Sequence, residues 1–143
     1  MSAYERTGWR CPEVSARHRL YGRDCPMVDL DFPVVEYDSG SPAALVELKH
    51  IIAKPVDMQH PTIRAITKLA DMAGIPFLIA RYNPSRWTYE VTPGNSYARQ
   101  YVFDVSGLSE EQYVRLLYSI RGRDVPQQIL RNLSRVRPDG GRL

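Results

Sequence analysis

The run Ala43-Ala44-Leu45-Val46-Glu47-Leu48-Lys49-His50 decides the fold, together with the two segments downstream of it: Pro61 to Ala73, then Ile75-Pro76-Phe77-Leu78-Ile79-Ala80-Arg81-Tyr82. The first run, extended to Ile52, is apolar and strand-like. Pro61 to Ala73 repeats Ile63, Ile66, Leu69, Ala70 and Ala73 at helical spacing. Pro61 suits the first position of that helix, and Gly74 suits the residue just past its end. Ile75 to Tyr82 is short, β-rich and nearly continuously apolar, as a strand covered on both faces reads. A strand, a helix and a strand in that order predict a parallel crossover, and so an α/β chain with a mixed sheet.

The pattern extends both ways from that unit. Upstream, Met27 to Asp38 carries Val28, Leu30, Phe32, Val34 and Val35 and reads as a strand. The turn Asp38-Ser39-Gly40-Ser41-Pro42 joins it to the Ala43 run, which makes a β-hairpin. Before it, Pro12 to Tyr21 reads as a helix stopped by Gly22. Downstream, Trp87 to Val91 and Tyr97 to Val105 read as a hairpin about Pro93-Gly94-Asn95. Ser109 with Gln112 is a capping box opening a helix to about Arg121, and Pro126 opens a last helix to about Val136. The tail, 137–143, is expected to fray. No repeat or composition break divides the chain, so residues 1–143 are expected to form a single domain, with a core at about 12–82 and additions at 83–143.

Charge inside an apolar strand is the feature that points to chemistry. Glu47 and Lys49 are two apart, so on a strand they face the same way. Ionised side chains seldom sit in such a run unless they are paired or used. With the turn near Gly40, Lys49 falls roughly opposite Asp31 and Glu47 roughly opposite Pro33, so Asp31 shares a face with both. Two carboxylates beside an ammonium make a site for a hard divalent cation. Magnesium takes oxygen ligands, usually one or two carboxylates with water and phosphate completing the shell. Such a metal activates water and neutralises charge on a phosphate.

The segment Asp31 … Glu47-Leu48-Lys49 resembles the Asp … (Asp/Glu)-x-Lys signature of the PD-(D/E)xK nuclease superfamily, and the chain looks like its small phage and prophage members. The resemblance runs from about Pro12 to Tyr82. It implies a restriction-endonuclease-like mixed β-sheet flanked by helices with an α-β-β-β-α-β core, here followed by a C-terminal hairpin and helices. It also implies an Mg2+- or Mn2+-dependent endonuclease with Asp31, Glu47 and Lys49 as catalytic residues and Asp31 and Glu47 as metal ligands. Leu30 stands where the signature has Pro, which leaves Asp29 open as an alternative ligand. Many members add an acid from the first helix, and Glu13 is in that place. His50 follows Lys49 on the opposite strand face and is a further accessory candidate. Resolvases of the superfamily are dimers, so a homodimer is within expectation. The rival reading is a nuclease-fold binder without catalysis, such as a phage-encoded modulator or a structural component of a nucleic-acid complex.

Composition agrees with these expectations without deciding among them. The net charge of +3 is mildly basic, and 16 of the 19 basic residues are Arg. Arg forks match phosphate geometry. Arg17, Arg19 and Arg23 surround Tyr21, and Arg81 and Arg86 lie near Trp87. These are the candidate contacts to nucleic acid, DNA rather than RNA. With only 3 lysines in the chain, each is informative, and one of them is Lys49. Cys11 and Cys25 are too few for a disulfide framework and lack metal-site spacing, and His18, His50 and His60 add no zinc motif. No run is long and apolar enough for a membrane helix, and no apolar stretch follows the first charges. A cytoplasmic protein with no membrane partner is therefore expected.

Overall fold

The computed structural model describes residues 11–103 and 105–134. Helix α1 (Pro12–Leu20) leads to strands β1 (Phe32–Glu36) and β2 (Ser41–His50), helix α2 (Pro61–Ala73), and strands β3 (Phe77–Asn83) and β4 (Thr88–Pro93). A single 3-10 turn (Ala98–Gln100), strand β5 (Ser106–Leu108) and helices α3 (Glu110–Ile120) and α4 (Gln127–Leu133) complete the order. The five strands form one mixed sheet in the order β1-β2-β3-β4-β5. Within it the β2–β3 pair is parallel, and its neighbours on both sides are antiparallel. The chain is thus α/β, a five-stranded mixed sheet flanked by helices, and the parallel crossover lies where the periodicity predicts it. Among the described residues no helix is long and apolar enough to cross a membrane.

Alternation along β2 and β3 sorts the core into two layers. Leu45, Phe77 and Ile79 face α2 and pack on Ile63, Ile66 and Ala70. Val46, Leu78 and Ala80 face the other way and pack with Val91, Ala98, Val102 and Tyr113. Helix α2 is placed by its ends. The His60 ring accepts the Thr62 N–H as N-cap, and Gly74 takes the left-handed conformation at φ 69°, where its N–H reaches Ala70 and Asp71 carbonyls. Helix α3 opens on the reciprocal Ser109–Gln112 capping box.

Asn95 joins the α2 end to the β4 end. Its Oδ1 accepts the Phe77 and Ala98 N–H groups at 3.0 Å each, and its amide donates to Asp71 Oδ1 and Ile75 O. The two N–H groups are thereby satisfied in a buried setting. Gly94 lies against Phe77 so closely that an added Cβ would stand 2.5 Å from the ring.

Several boundaries differ from expectation. Helix α1 ends at Leu20, with Tyr21 as its cap. Residues 27–31 are not part of a strand; β1 begins only at Phe32, and β2 runs from Ser41 rather than Ala43 and ends at His50. Only two strands therefore precede α2 among the described residues, where an α-β-β-β-α-β core has three. β3 starts at Phe77, two residues after Ile75. The hairpin expected from Trp87 to Val105 is not formed as read. β4 pairs with β3 instead, residues 97–102 turn through the 3-10 segment, and only Ser106–Leu108 returns as a strand. The Asn95 hydrogen bonds hold that turn against the sheet and override the strand-like Tyr97-Tyr101-Phe103 pattern. Within α2, Leu69 is 46% exposed although its spacing is that of the core residues. Helix α4 ends at Leu133, with Ser134 as its cap, short of the expected Val136, and the tail lies outside the described residues.

Candidate functional site

The register of the hairpin sets the site. Phe32 pairs with Val46 and Pro33 with Leu45, and a bulge at Val34/Val35 shifts the pairs nearer the turn. Continuing that ladder one step puts Asp31 across from Glu47, not Lys49. The expected pairing of Asp31 with Lys49 is two residues out, because the turn lies earlier than Gly40, with Glu36 opposite Ser41, and the bulge recovers only one of the three residues lost. The correction brings the two carboxylates closer together.

Asp31 is anchored by the end of its own strand. Even-numbered residues of β2 offer their N–H groups toward β1, and β1 stops at Phe32, so the Leu48 N–H has no main-chain acceptor there. The Asp31 carboxylate takes it, Oδ2 at 3.0 Å. Glu47 is only 7% exposed, an unusual place for a carboxylate. Lys49 Nζ lies 3.3 Å from Glu47 Oε1, with its side chain partly in solvent. Burial pushes the Glu47 carboxyl above the usual carboxylate range, the Asp31 carboxylate pushes it further, and Lys49 draws it only part of the way back. Glu47 is therefore, first of all, a desolvated carboxylate, with a second carboxylate and one ammonium beside it.

Two neighbouring carboxylates are the ligand type that a hard divalent cation takes. Asp31 and Glu47 could supply two carboxylates, leaving the remaining positions for water and phosphate oxygens. Among the described residues no group of three or more His, Cys, Asp and Glu converges on one metal position. Asp29 and Glu13 thus do not join Asp31 and Glu47. Glu13 sits in the first turn of α1 and accepts from the Cys11 thiol at 2.9 Å, which holds its carboxyl below the usual range.

The other named residues lie elsewhere. His50 is on the far face of the sheet, with its ring edge-on to Tyr82 at 5.2 Å and its Nδ1 accepting the Ile52 N–H. Arg17, Arg19 and Arg23 are exposed on and after α1, which buries none of its residues. Arg86 is exposed in the β3–β4 turn, beside Trp87 at φ 49°. Arg81, read from the sequence as a nucleic-acid contact, turns inward: its Nη2 donates to Ile51 O at 2.7 Å and Ala53 O at 3.1 Å, and its Nη1 reaches Glu90 Oε2 at 3.3 Å.

Beside Glu47 and Lys49 opens a groove of about 310 Å3, walled also by Lys54, Val56, Asp57 and His60. Lys54 escaped the reading of the sequence. The scarcity of lysine was the available signal, since two of the 3 lysines line this one groove. Compared with family models, curated proteins and solved structures, the chain matches none.

Proposed function

We propose that this chain is a divalent-metal-dependent nuclease that hydrolyses phosphodiester bonds in DNA, on a restriction-endonuclease-like core. The observation that carries the reading is the buried Glu47 carboxylate, crowded by Asp31, flanked by the Lys49 ammonium at 3.3 Å and open to a groove. A structural ion pair would not need a second carboxylate pressed against the first. Further support comes from order along the chain: the Glu-x-Lys strand is followed by a helix and a parallel strand, as the nuclease resemblance implies.

In this reading Asp31 and Glu47 would hold Mg2+ or Mn2+, which would supply a more acidic water and a counter-charge for the phosphate. Asp31 is kept in place by the Leu48 N–H. Lys49 orients the attacking water against the phosphorus and stabilises the charge on the non-bridging oxygens as the P–O bond to the leaving group breaks.

The test is incubation of the protein with supercoiled, linear, single-stranded and branched DNA, with Mg2+ or Mn2+, beside Lys49→Ala. Cleavage that needs metal and is lost in the variant is the expected result. A nuclease-fold binder without catalysis is the second reading, favoured by one observation: no third acid joins Asp31 and Glu47 among the described residues. Absence of cleavage on every substrate, with no metal binding by calorimetry, overturns the enzyme and leaves that binder.

A further inference from the structure

Arg81 and Lys54 belong to one device. The segment 51–60 leaves the end of β2 and returns as the N-terminus of α2, and it forms the outer wall of the groove beside Glu47 and Lys49. Arg81 is the register partner of Lys49 on the parallel neighbour strand. From there its guanidinium reaches two carbonyls of the segment, those of Ile51 and Ala53, immediately before Lys54. Glu90 braces it from behind, across the β3–β4 pair. Its Nε is buried without an acceptor, so the group is oriented for its carbonyl contacts and not for its own full satisfaction. Two main-chain acceptors and a carboxylate gathered by one planar fork is geometry that lysine cannot reproduce.

The clamp fixes where Lys54 goes. Lys54 lines the groove with Lys49, and among the described residues it forms no ion pair. The Asp57 carboxylate, on the same wall, accepts the Gln59 N–H at 2.9 Å and so serves the local turn. His60 serves the α2 cap through its Nδ1. Lys49 is held by Glu47. Lys54 is thus the ammonium in the groove with no partner of its own among the described residues, and it shares that groove with Glu47.

We propose that this groove carries the DNA backbone next to the cleaved bond, that Lys54 binds a neighbouring, uncleaved phosphate, and that Arg81 is a positioning residue that holds the 51–53 turn so that Lys54 can reach it. The proposal rests on the nuclease reading above. It gives Arg81 a role opposite to direct contact with nucleic acid: it acts through the main chain it grips.

The experiment measures binding of a fluorescently labelled DNA oligonucleotide by anisotropy, in EDTA to prevent cleavage, over a series of salt concentrations. The proteins are the full chain, Lys54→Ala, Arg81→Lys, the double variant, and Lys68→Ala as an exposed lysine outside the groove. Lys54→Ala is expected to raise Kd about fivefold and to lower the salt dependence by roughly one released ion, the mark of one lost phosphate contact. Arg81→Lys is expected to reproduce both changes, and the double variant to bind no more weakly than Arg81→Lys alone, because the two residues act in series. Lys68→Ala is expected to bind as the unaltered chain does. Unaltered Kd and salt slope in Lys54→Ala overturn the groove while leaving the nuclease reading intact. An equal loss in Lys68→Ala also overturns it, because diffuse charge would then account for the effect. If the unaltered protein binds no DNA either in EDTA or with Ca2+ in its place, the nucleic-acid reading itself falls and the groove with it. Should Arg81→Lys fail to fold by circular dichroism, the two lysine variants still decide the matter.

Discussion

Glu36 and Glu47 sit on the same hairpin and meet opposite surroundings. Glu36, near the turn, is enclosed by cations: Arg121 Nε at 3.2 Å and Arg123 Nε at 2.8 Å share its Oε2, and Arg123 also reaches Asp38. Those contacts tie the end of α3 to the β1–β2 turn, and Arg121 above all holds the Glu36 carboxyl below the usual range. Glu47, at the far end of β2, has one ammonium, a second carboxylate and little water, and its carboxyl is held high. Glu36 is a contact closed by cations on two sides. Glu47 has one cation, a second carboxylate beside it and little solvent. The proposed function makes the first a stabilising carboxylate and the second a metal ligand, and the two surroundings give that proposal its physical test.

The sharpest way to break the contrast is by cleavage. Glu47→Gln is expected to lower the metal-dependent rate on DNA by at least about 100-fold, since a metal ligand and a developing-charge partner go together. Glu36→Gln is expected to leave the rate within about threefold while lowering the melting temperature. Equal rates in the two variants would abolish the distinction.

The next effect is read without turnover. Saturating Mg2+ should raise the melting temperature of the unaltered chain, by about 2.7 kcal/mol of stability at a hundred times Kd. It should leave Glu47→Gln unmoved, and Glu36→Gln should respond as the unaltered chain does. A metal shift that survives in Glu47→Gln would place the cation elsewhere.

Acidity should then act on the two residues with opposite sign. Glu36 has a depressed folded pKa, so its contribution is complete above the ordinary carboxylate range and is lost as pH falls through the depressed value. Glu47 has a raised folded pKa, so its charged form costs stability above that value and ceases to do so below the ordinary range. Without metal, Glu47→Gln is accordingly expected to melt higher than the unaltered chain at neutral pH, with the gain fading toward pH ~4. Thermal melts at stepped pH would show it, and a gain that grows on acidification would be the wrong sign. The smallest effect belongs to Arg123→Ala. Its guanidinium is largely solvated, so a loss of about 1–3 °C that shrinks in high salt is expected.

The range of the forces involved sets how much of this is legible in the sequence. The α2 helix is readable to the residue, from Pro61 to Ala73, because Pro at its start, Gly at its end and the apolar spacing are local signals that agree. The capping box of α3 is equally local. The pairing of Glu47 with Lys49 needs only the alternation of a strand. By itself, then, the sequence determined the strand–helix–strand unit, its caps and which side chains of β2 share a face, because each of these depends on neighbours within a turn or two of chain.

The tertiary structure decided everything that depends on a distant partner. A turn that lies earlier than Gly40, offset by one residue at the Val34/Val35 bulge, puts Asp31 opposite Glu47 and not Lys49, and a register is set by the whole ladder and its turn, not by either strand. Asn95 turned an expected strand into a compact corner because its hydrogen bonds run to residues 18 and 24 positions away. Arg81 could not be told from a surface arginine until the carbonyls of Ile51 and Ala53, 30 and 28 positions upstream, were brought within its reach. The scarcity of lysine marks Lys54 in the sequence, but only the fold brings it into one groove with Lys49. Periodicity and capping are short-range and are written into the chain; register, desolvation and charge balance are sums over groups that only folding brings together.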